Sequence, residues 1–196
     1  MKILLATTNE GKRKEMQEIL SEIEFITLKD ILYTKEVQEN GNTFYENARK
    51  KAKQIYEDTK IPCLADDSGI AINQYHGWPG VNTARFLGKD KATNEFSRVR
   101  NEFILEKMKD LPKEKRKVEN ITSIVYYDGK KEYAAEGKIQ GYIAQNCRGD
   151  NGFGFDEIFE LDNGKTLAEL TKIQKNEISS RRKALEKIRE KLFFEK

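Results

Sequence analysis

Histidine is almost missing from this chain, with His76 the only one among 196 residues. A multi-histidine metal centre is therefore excluded, and any Ser-His-Asp triad would have to use that one residue. His76 lies in His76-Gly-Trp-Pro-Gly80, a loop by its Gly and Pro content, and reads as a plain surface residue. Cysteine is nearly as scarce. Cys63 and Cys147 are far apart, form no CxxC pair, and are expected as free thiols in a reducing compartment. Long apolar runs are missing as well, since none approaches the roughly 18 residues that span a bilayer. Lys2-Ile-Leu-Leu-Ala6 is too short for a secretory leader. A cytoplasmic protein without a membrane partner is expected. Nor does one sign of charge dominate: 36 Lys and Arg against 33 Asp and Glu leave +3. That balance permits an anionic ligand without calling for nucleic acid. With no repeat, low-complexity stretch or linker, residues 1–196 read as one domain, long enough for two lobes.

What is present alternates between strand and helix patterns. Ile3 to Ala6 reads as a short buried strand, and a helix follows from Glu10 to Ser21 with Met16, Ile19 and Leu20 on one face. Glu24 to Leu28 is a second strand. Thr43, with Glu46 three residues on, has the spacing of a capping box and opens a helix to Thr59. Pro62 to Ala65 is a buried strand leading into a tight turn at Asp66-Asp67-Ser68-Gly69. A charged amphipathic helix is expected from Lys91 to Leu111. Ile121 to Tyr127 and Glu132 to Ile143 flank the hairpin signal Asp128-Gly129. A Gly-rich loop from Gly149 to Asp156 precedes Ile158-Phe159, and a last helix runs from Ser179 to Phe193. This order predicts an α/β fold with a central mixed sheet and flanking helices.

Three segments carry chemistry. Thr7-Thr8-Asn9-Glu10-Gly11-Lys12 places hydroxyls, an amide and an ammonium where a strand gives way to a helix, a setting that suits phosphate. It lacks P-loop spacing and equally fits an ordinary strand-to-helix turn. Asp66-Asp67 offers adjacent carboxylates that repel each other unless a cation lies near. Magnesium suits such a pair, and so does a solvated turn. Phe153-Gly154-Phe155-Asp156 sets rings among glycines, able to stack on a base or to serve as core aromatics beside a turn. Glu39 and Lys51 flank the second helix start. Together these point to an enzyme that binds a nucleotide polyphosphate and cuts it.

The chain resembles the inosine triphosphate pyrophosphatases, which hydrolyse non-standard purine nucleoside triphosphates. The resemblance rests on Ala6 to Lys12; on Glu39 to Ala48 with Lys51-Ala52; on Ala65 to Gly69; on Pro79-Gly80 with Ala84-Arg85; on Gly152 to Asp156 with Ile158-Phe159; on Lys165-Thr166 with Ala168 to Leu170; and on Lys175 with Ile178-Ser179 and Arg181. These occur in family order over nearly the whole length. The resemblance implies a two-lobed domain with the active-site cleft between the lobes, and a homodimer. It implies that Thr7, Thr8, Asn9, Glu10, Gly11 and Lys12 hold the triphosphate. Glu39 and Asp67 would bind Mg2+, with Asp67 also the general base, Asp66 in support and Ser68 touching substrate. Lys51 and Lys175 would bind phosphates, Phe153, Gly154, Phe155 and Asp156 would line the nucleoside pocket, and Ser180 and Arg181 would face the base.

The chain departs from the family pattern at Asn151, Glu157 and Ser180, where the family has glycine, proline and histidine. The histidine would help read the purine 6-oxo edge, and losing one such bond costs about 1–3 kcal/mol of discrimination. The expected reaction is attack of an activated water at the α-phosphorus, with pyrophosphate leaving. Two other readings fit the same residues: a pyrophosphatase of similar fold with altered base selectivity, and a nucleotide-binding module without catalysis.

Overall fold

The computed structural model describes residues 2–88 and 96–194. It is an α/β protein with one mixed sheet of strand order β2-β1-β3-β5-β6-β7. The strands are β1 (Lys2–Leu5), β2 (Glu24–Thr27), β3 (Cys63–Ile72), β4 (Trp78–Pro79), β5 (Lys117–Tyr127), β6 (Glu132–Ile143) and β7 (Phe159–Glu160). β1 runs parallel to β2 and β3, whereas β4 is antiparallel to β3, and β7 to β6. The helices are α1 (Glu10–Ile19), α2 (Phe44–Thr59), α3 (Ser97–Met108), α4 (Lys172–Ile178) and α5 (Ser180–Phe194). Two compact units divide the chain. One holds Met1–Ser68, Thr122–Lys138 and Ser180–Lys196, the other Gly69–Ile121 and Ile139–Ser179.

In the first unit, side-chain alternation along the strands sorts the core into two clusters. Ile3, Leu5, Leu64, Ile124 and Tyr126 pack with Met16 and Leu20 and with Ala184, Leu185 and Ile188. Leu4, Ala6, Cys63, Ala65 and Val125 pack instead with Ala48, Ala52 and Ile55. Successive residues of a strand face opposite sides. α1 and α5 therefore cover one face of the sheet and α2 the other. Burial on both faces explains why β1 reads as a continuous apolar run.

This parity corrects the expectation at Asp66-Asp67. The residues are not in a turn: β3 runs through them to Ile72. Asp66 shares the face of Leu64, and Asp67 that of Ala65. Gly69 fits the strand because a Cβ there would lie 2.2 Å from Thr83 Oγ1. The capping expectation holds in half. Thr43 Oγ1 accepts from Glu46 N at 3.1 Å, but the Glu46 carboxylate accepts from Asn42 N at 2.7 Å and not from Thr43.

β5 begins at Lys117, earlier than expected, and Asp128 closes the hairpin by accepting from the amides of Lys130 and Lys131. His76 is exposed, as expected, while Trp78–Pro79 belongs to a strand rather than a loop. α4 was not foreseen, although Thr171 and Gln174 form a capping box at its start. The expected helix start, at Lys91 to Glu95, lies outside the described residues. Among them, no helix is long and apolar enough to cross a membrane.

The second unit packs Ile70, Ile72, Ile104, Met108, Val118, Ile139, Ile143, Ile158 and Phe159 into one cluster. Arg116 is buried there and donates to the carbonyls of Ile143, Met108 and Ala144 and to Gln145 Oε1. α3 departs from the simple amphipathic reading. Its buried residues, Arg100, Asn101, Ile104 and Met108, have helical spacing, but two of them are polar.

One surface cluster of the first unit gives the fold a pH dependence. Glu132 accepts from Arg49 Nε at 2.8 Å and Tyr45 Oη at 3.0 Å, and pairs with Lys53 at 2.9 Å. Burial alone would raise its carboxyl. The donors outweigh it and pull the group from 4.5 down to about 2. A depressed carboxylate stabilises the fold above its unfolded value, and that contribution is lost as pH falls. Glu132→Gln should therefore lower unfolding free energy by about 1 kcal/mol at pH 7 in urea titrations. The difference from wild type should shrink as pH falls from 4.5 towards 2.

Candidate active site

The expected site residues fall into two sets, one in each unit. In the first unit, β1 ends and the chain passes through Thr7 to Asn9 into α1. Asn9 caps the helix: its side chain accepts from Lys12 N at 3.1 Å, and its own N–H donates to Thr7 Oγ1 at 3.2 Å. This tight entry leaves the first-turn amides of α1 at the end of a buried strand, a favourable setting for an anion. The Glu10 carboxylate is paired with Arg13 and lies 3.9 Å from Lys29.

Asp66 is the hub of this set. Its side chain is fully buried, with Lys12 Nζ 3.0 Å and Arg181 Nη2 3.1 Å from Oδ2. Its backbone carbonyl accepts from Lys51 Nζ at 2.9 Å. Burial alone would raise this carboxyl, but Lys12, Arg181 and Lys51 hold it far below the usual carboxylate range. Arg181, expected at the base, is buried. It spans Glu15 Oε2 at 2.6 Å, Asp66, and Ser68 Oγ at 3.1 Å. Burial opposes its charge, and the two carboxylates more than restore it. Glu15, a charged residue beside Met16 on the buried side of α1, was not foreseen as part of the site.

Asp67 faces α2. Its Oδ2 accepts from Asn47 Nδ2 at 2.9 Å, and its Oδ1 from Ser68 N at 3.0 Å. Asn47 Oδ1 in turn accepts from Gly41 N at 2.7 Å, which ties the Glu39 loop to the strand. Burial raises the Asp67 carboxyl. Lys51 and Lys12 oppose that shift and the nearby Glu39 charge adds to it. Lys51 bonds the Glu39 carboxylate, and Glu39, Asp66 and Asp67 together keep it charged against the cost of burial. Two neighbouring carboxyls thus have divergent tendencies, one locked ionised and one raised. That is the arrangement that separates a supporting acid from a base. Sequence reasoning missed Asn47; the signal was an amide at a fully buried helical position, one turn before Lys51.

Ser180 is buried, and its hydroxyl bonds that of Thr122 at 2.8 Å. In the second unit, Asp156 Oδ2 accepts from Phe153 N at 2.7 Å and from Lys175 Nζ at 2.5 Å, and Lys175 Nζ sits 4.2 Å over the Phe153 ring. Gly152 has φ +81, and a Cβ there would strike Asp156 Oδ2 at 2.1 Å, so only glycine fits. The two rings differ in their surroundings: Phe155 packs against the apolar cluster, and the Phe153 ring lies under Lys175 Nζ. Cys63 and Cys147 are free thiols, as expected.

A mixed-sheet α/β protein with a capped strand-to-helix turn and a buried lysine–arginine–carboxylate centre is the class these features define. The chain belongs to the Ham1 family, whose model matches residues 3–191. It is 44% identical over 194 residues to a dITP/XTP pyrophosphatase of Aquifex aeolicus, covering 96% of this chain and 95% of that one. The dITP/XTP pyrophosphatase of Bacillus subtilis is 39% identical over 189 residues, at 94% and 93% coverage. The solved Ham1 protein of Staphylococcus aureus superposes with a TM-score of 0.86 at 31% identity, covering 100% of both chains. A HAM1 protein from Coxiella burnetii gives 0.85 at 35% identity, covering 98% of each. The resemblance read from the motifs is therefore borne out.

Proposed function

We propose that this chain is a nucleoside triphosphate pyrophosphatase, releasing pyrophosphate and a monophosphate from non-standard purine nucleotides such as dITP and XTP. The observation that carries this reading is the split at β3: Asp66 held ionised by three cations, and Asp67 raised and oriented by Asn47. Relatives named dITP/XTP pyrophosphatase at up to 44% identity give the substrate class. Asp67 takes the proton of the attacking water, and its raised affinity for that proton suits it to the task. Lys12 and Lys51 meet the charge that grows on the phosphates as the bond breaks. The Thr7–Lys12 turn orients the polyphosphate chain. In the second unit, Phe153 offers a face to the nucleoside, and Lys175 offers a charge to phosphate.

Glu39 and Asp67 fit magnesium. They are hard oxygen donors; burial raises the Asp67 carboxyl and the Glu39 charge adds to that rise, a repulsion that a cation would relieve. Where phosphates bind, magnesium takes several of its ligands from substrate oxygens and water. When bound, the ion neutralises phosphate charge and makes a water more acidic. The reading also includes a homodimer in the cytoplasm, where nucleotide pools lie.

A second reading concerns selectivity. The Ser180 hydroxyl is already bonded to Thr122, so its power to read the base is reduced. One assay on dITP, XTP, GTP, ATP and UTP, with pyrophosphate and phosphate measured separately, tests both. Magnesium-dependent pyrophosphate release from dITP and XTP, lost on chelation and restored by added magnesium, is expected. Comparable rates on GTP would favour the second reading. Release of phosphate alone, or no turnover, would overturn the first.

A further inference from the structure

We propose that Asn101 is a positioning residue for the nucleoside-side loop of the second unit. The proposal rests on the reading that Phe153 and its neighbours receive the nucleoside. Asn101 lies on the buried side of α3, one turn before Ile104, and is 0% exposed. Its Nδ2 donates to Gly154 O at 3.0 Å and lies 3.4 Å from Glu157 Oε2. Both neighbours are acceptors, which fixes the amide orientation with nitrogen towards the loop. Its Oδ1 is buried and accepts from nothing among the described residues. A position that served packing alone would shed such an orphan by becoming apolar, like Ile104 and Met108 on the same side. The bonds that Asn101 makes both go to the loop.

That loop is otherwise held by Phe155, which packs into the apolar cluster, and by Asp156. Asp156 ties Phe153 N to Lys175 on α4, but Gly154, at φ +67, follows with no side chain to restrain it. Asn101 supplies the restraint from α3, at the residue next to Phe153 and again at Glu157. Glu157 is anchored further: its carbonyl takes Arg148 N at 3.0 Å. Asn101 thus sets the angle at which the Phe153 ring is presented, and its effect should appear in nucleoside binding rather than in phosphate chemistry.

The test is Asn101→Ala, with steady-state kinetics on dITP, inhibition by tripolyphosphate, and a melting curve. KM is expected to rise about tenfold, as for the loss of a hydrogen bond that orders a binding group. kcat and tripolyphosphate inhibition should stay within about twofold of wild type, since the phosphate set is untouched. A merely structural role would lower the melting temperature and leave KM unchanged, which would overturn the proposal. If Asn101→Ala fails to fold, the similarly sized Asn101→Asp, which cannot donate when ionised, is read in the same way. Phe153→Ala is the companion measurement. A raised KM in Phe153→Ala with an unchanged KM in the Asn101 variant refutes the positioning role alone. An unchanged KM in both refutes the reading of the loop itself.

Discussion

Asp67→Asn should lower kcat on dITP by about 10³-fold, within the range expected for loss of a general base. Binding should survive. The asparagine keeps the shape of the side chain, and its oxygen can still accept from Asn47 or Ser68, which now hold Asp67 at 2.9 and 3.0 Å. Stability should be unchanged or slightly higher. Asp67 is an acid raised by burial and by Glu39, so its ionised form opposes folding at neutral pH. Removing the charge relieves that opposition. Turnover and thermal melting, measured on the same sample, therefore move in different directions. A variant that retains more than a tenth of wild-type kcat would rule Asp67 out as the base.

Arg181→Met should have the largest effect on stability, because it takes one buried cation from two buried carboxylates at once. Glu15 and Asp66 lie 2.6 and 3.1 Å from the guanidinium, and both side chains are almost wholly shielded from water. Breaking a buried pair by removing one partner costs about 3–5 kcal/mol. In a chain of this size that lowers the melting temperature by about 10 °C. Adding Glu15→Leu should recover part of the loss, since it removes one of those two charges and leaves Lys12 on Asp66. The double variant isolates the coupling. A single-variant shift under about 2 °C would show that the network contributes little to folding. The same substitution should also weaken turnover, since Asp66 and Ser68 both lose a contact beside the Thr7–Lys12 turn.

Local patterns in the sequence decided a great deal. The apolar run of β1, the Asn9 turn into α1, the Thr43 cap of α2 and the Asp128 hairpin each depend on residues within a few positions of one another. Propensity and capping act at that range. The family was legible too, because its motifs are short and keep their order. Where a local signal existed and was not used, as with Thr171 and Gln174 before α4, the miss was one of reading.

The chemistry of the centre was decided elsewhere. By residue type and local pattern, apart from the family resemblance, Asp66 and Asp67 are equivalent neighbours. Only the continuation of β3 through them, with α1 and α5 on one face and α2 on the other, sends one to Lys12 and Arg181 and the other to Asn47. Arg181 finds Glu15 across 166 positions, and Asn101 finds Gly154 across 53. Nothing local marks such pairs, since charged and amide side chains serve equally well on a solvated surface. Residue types and short-range order were therefore set by the sequence alone. Which carboxylate is locked, which is raised and which amide holds the loop were set by burial and long-range partners, because desolvation and Coulomb interactions depend on distance in space.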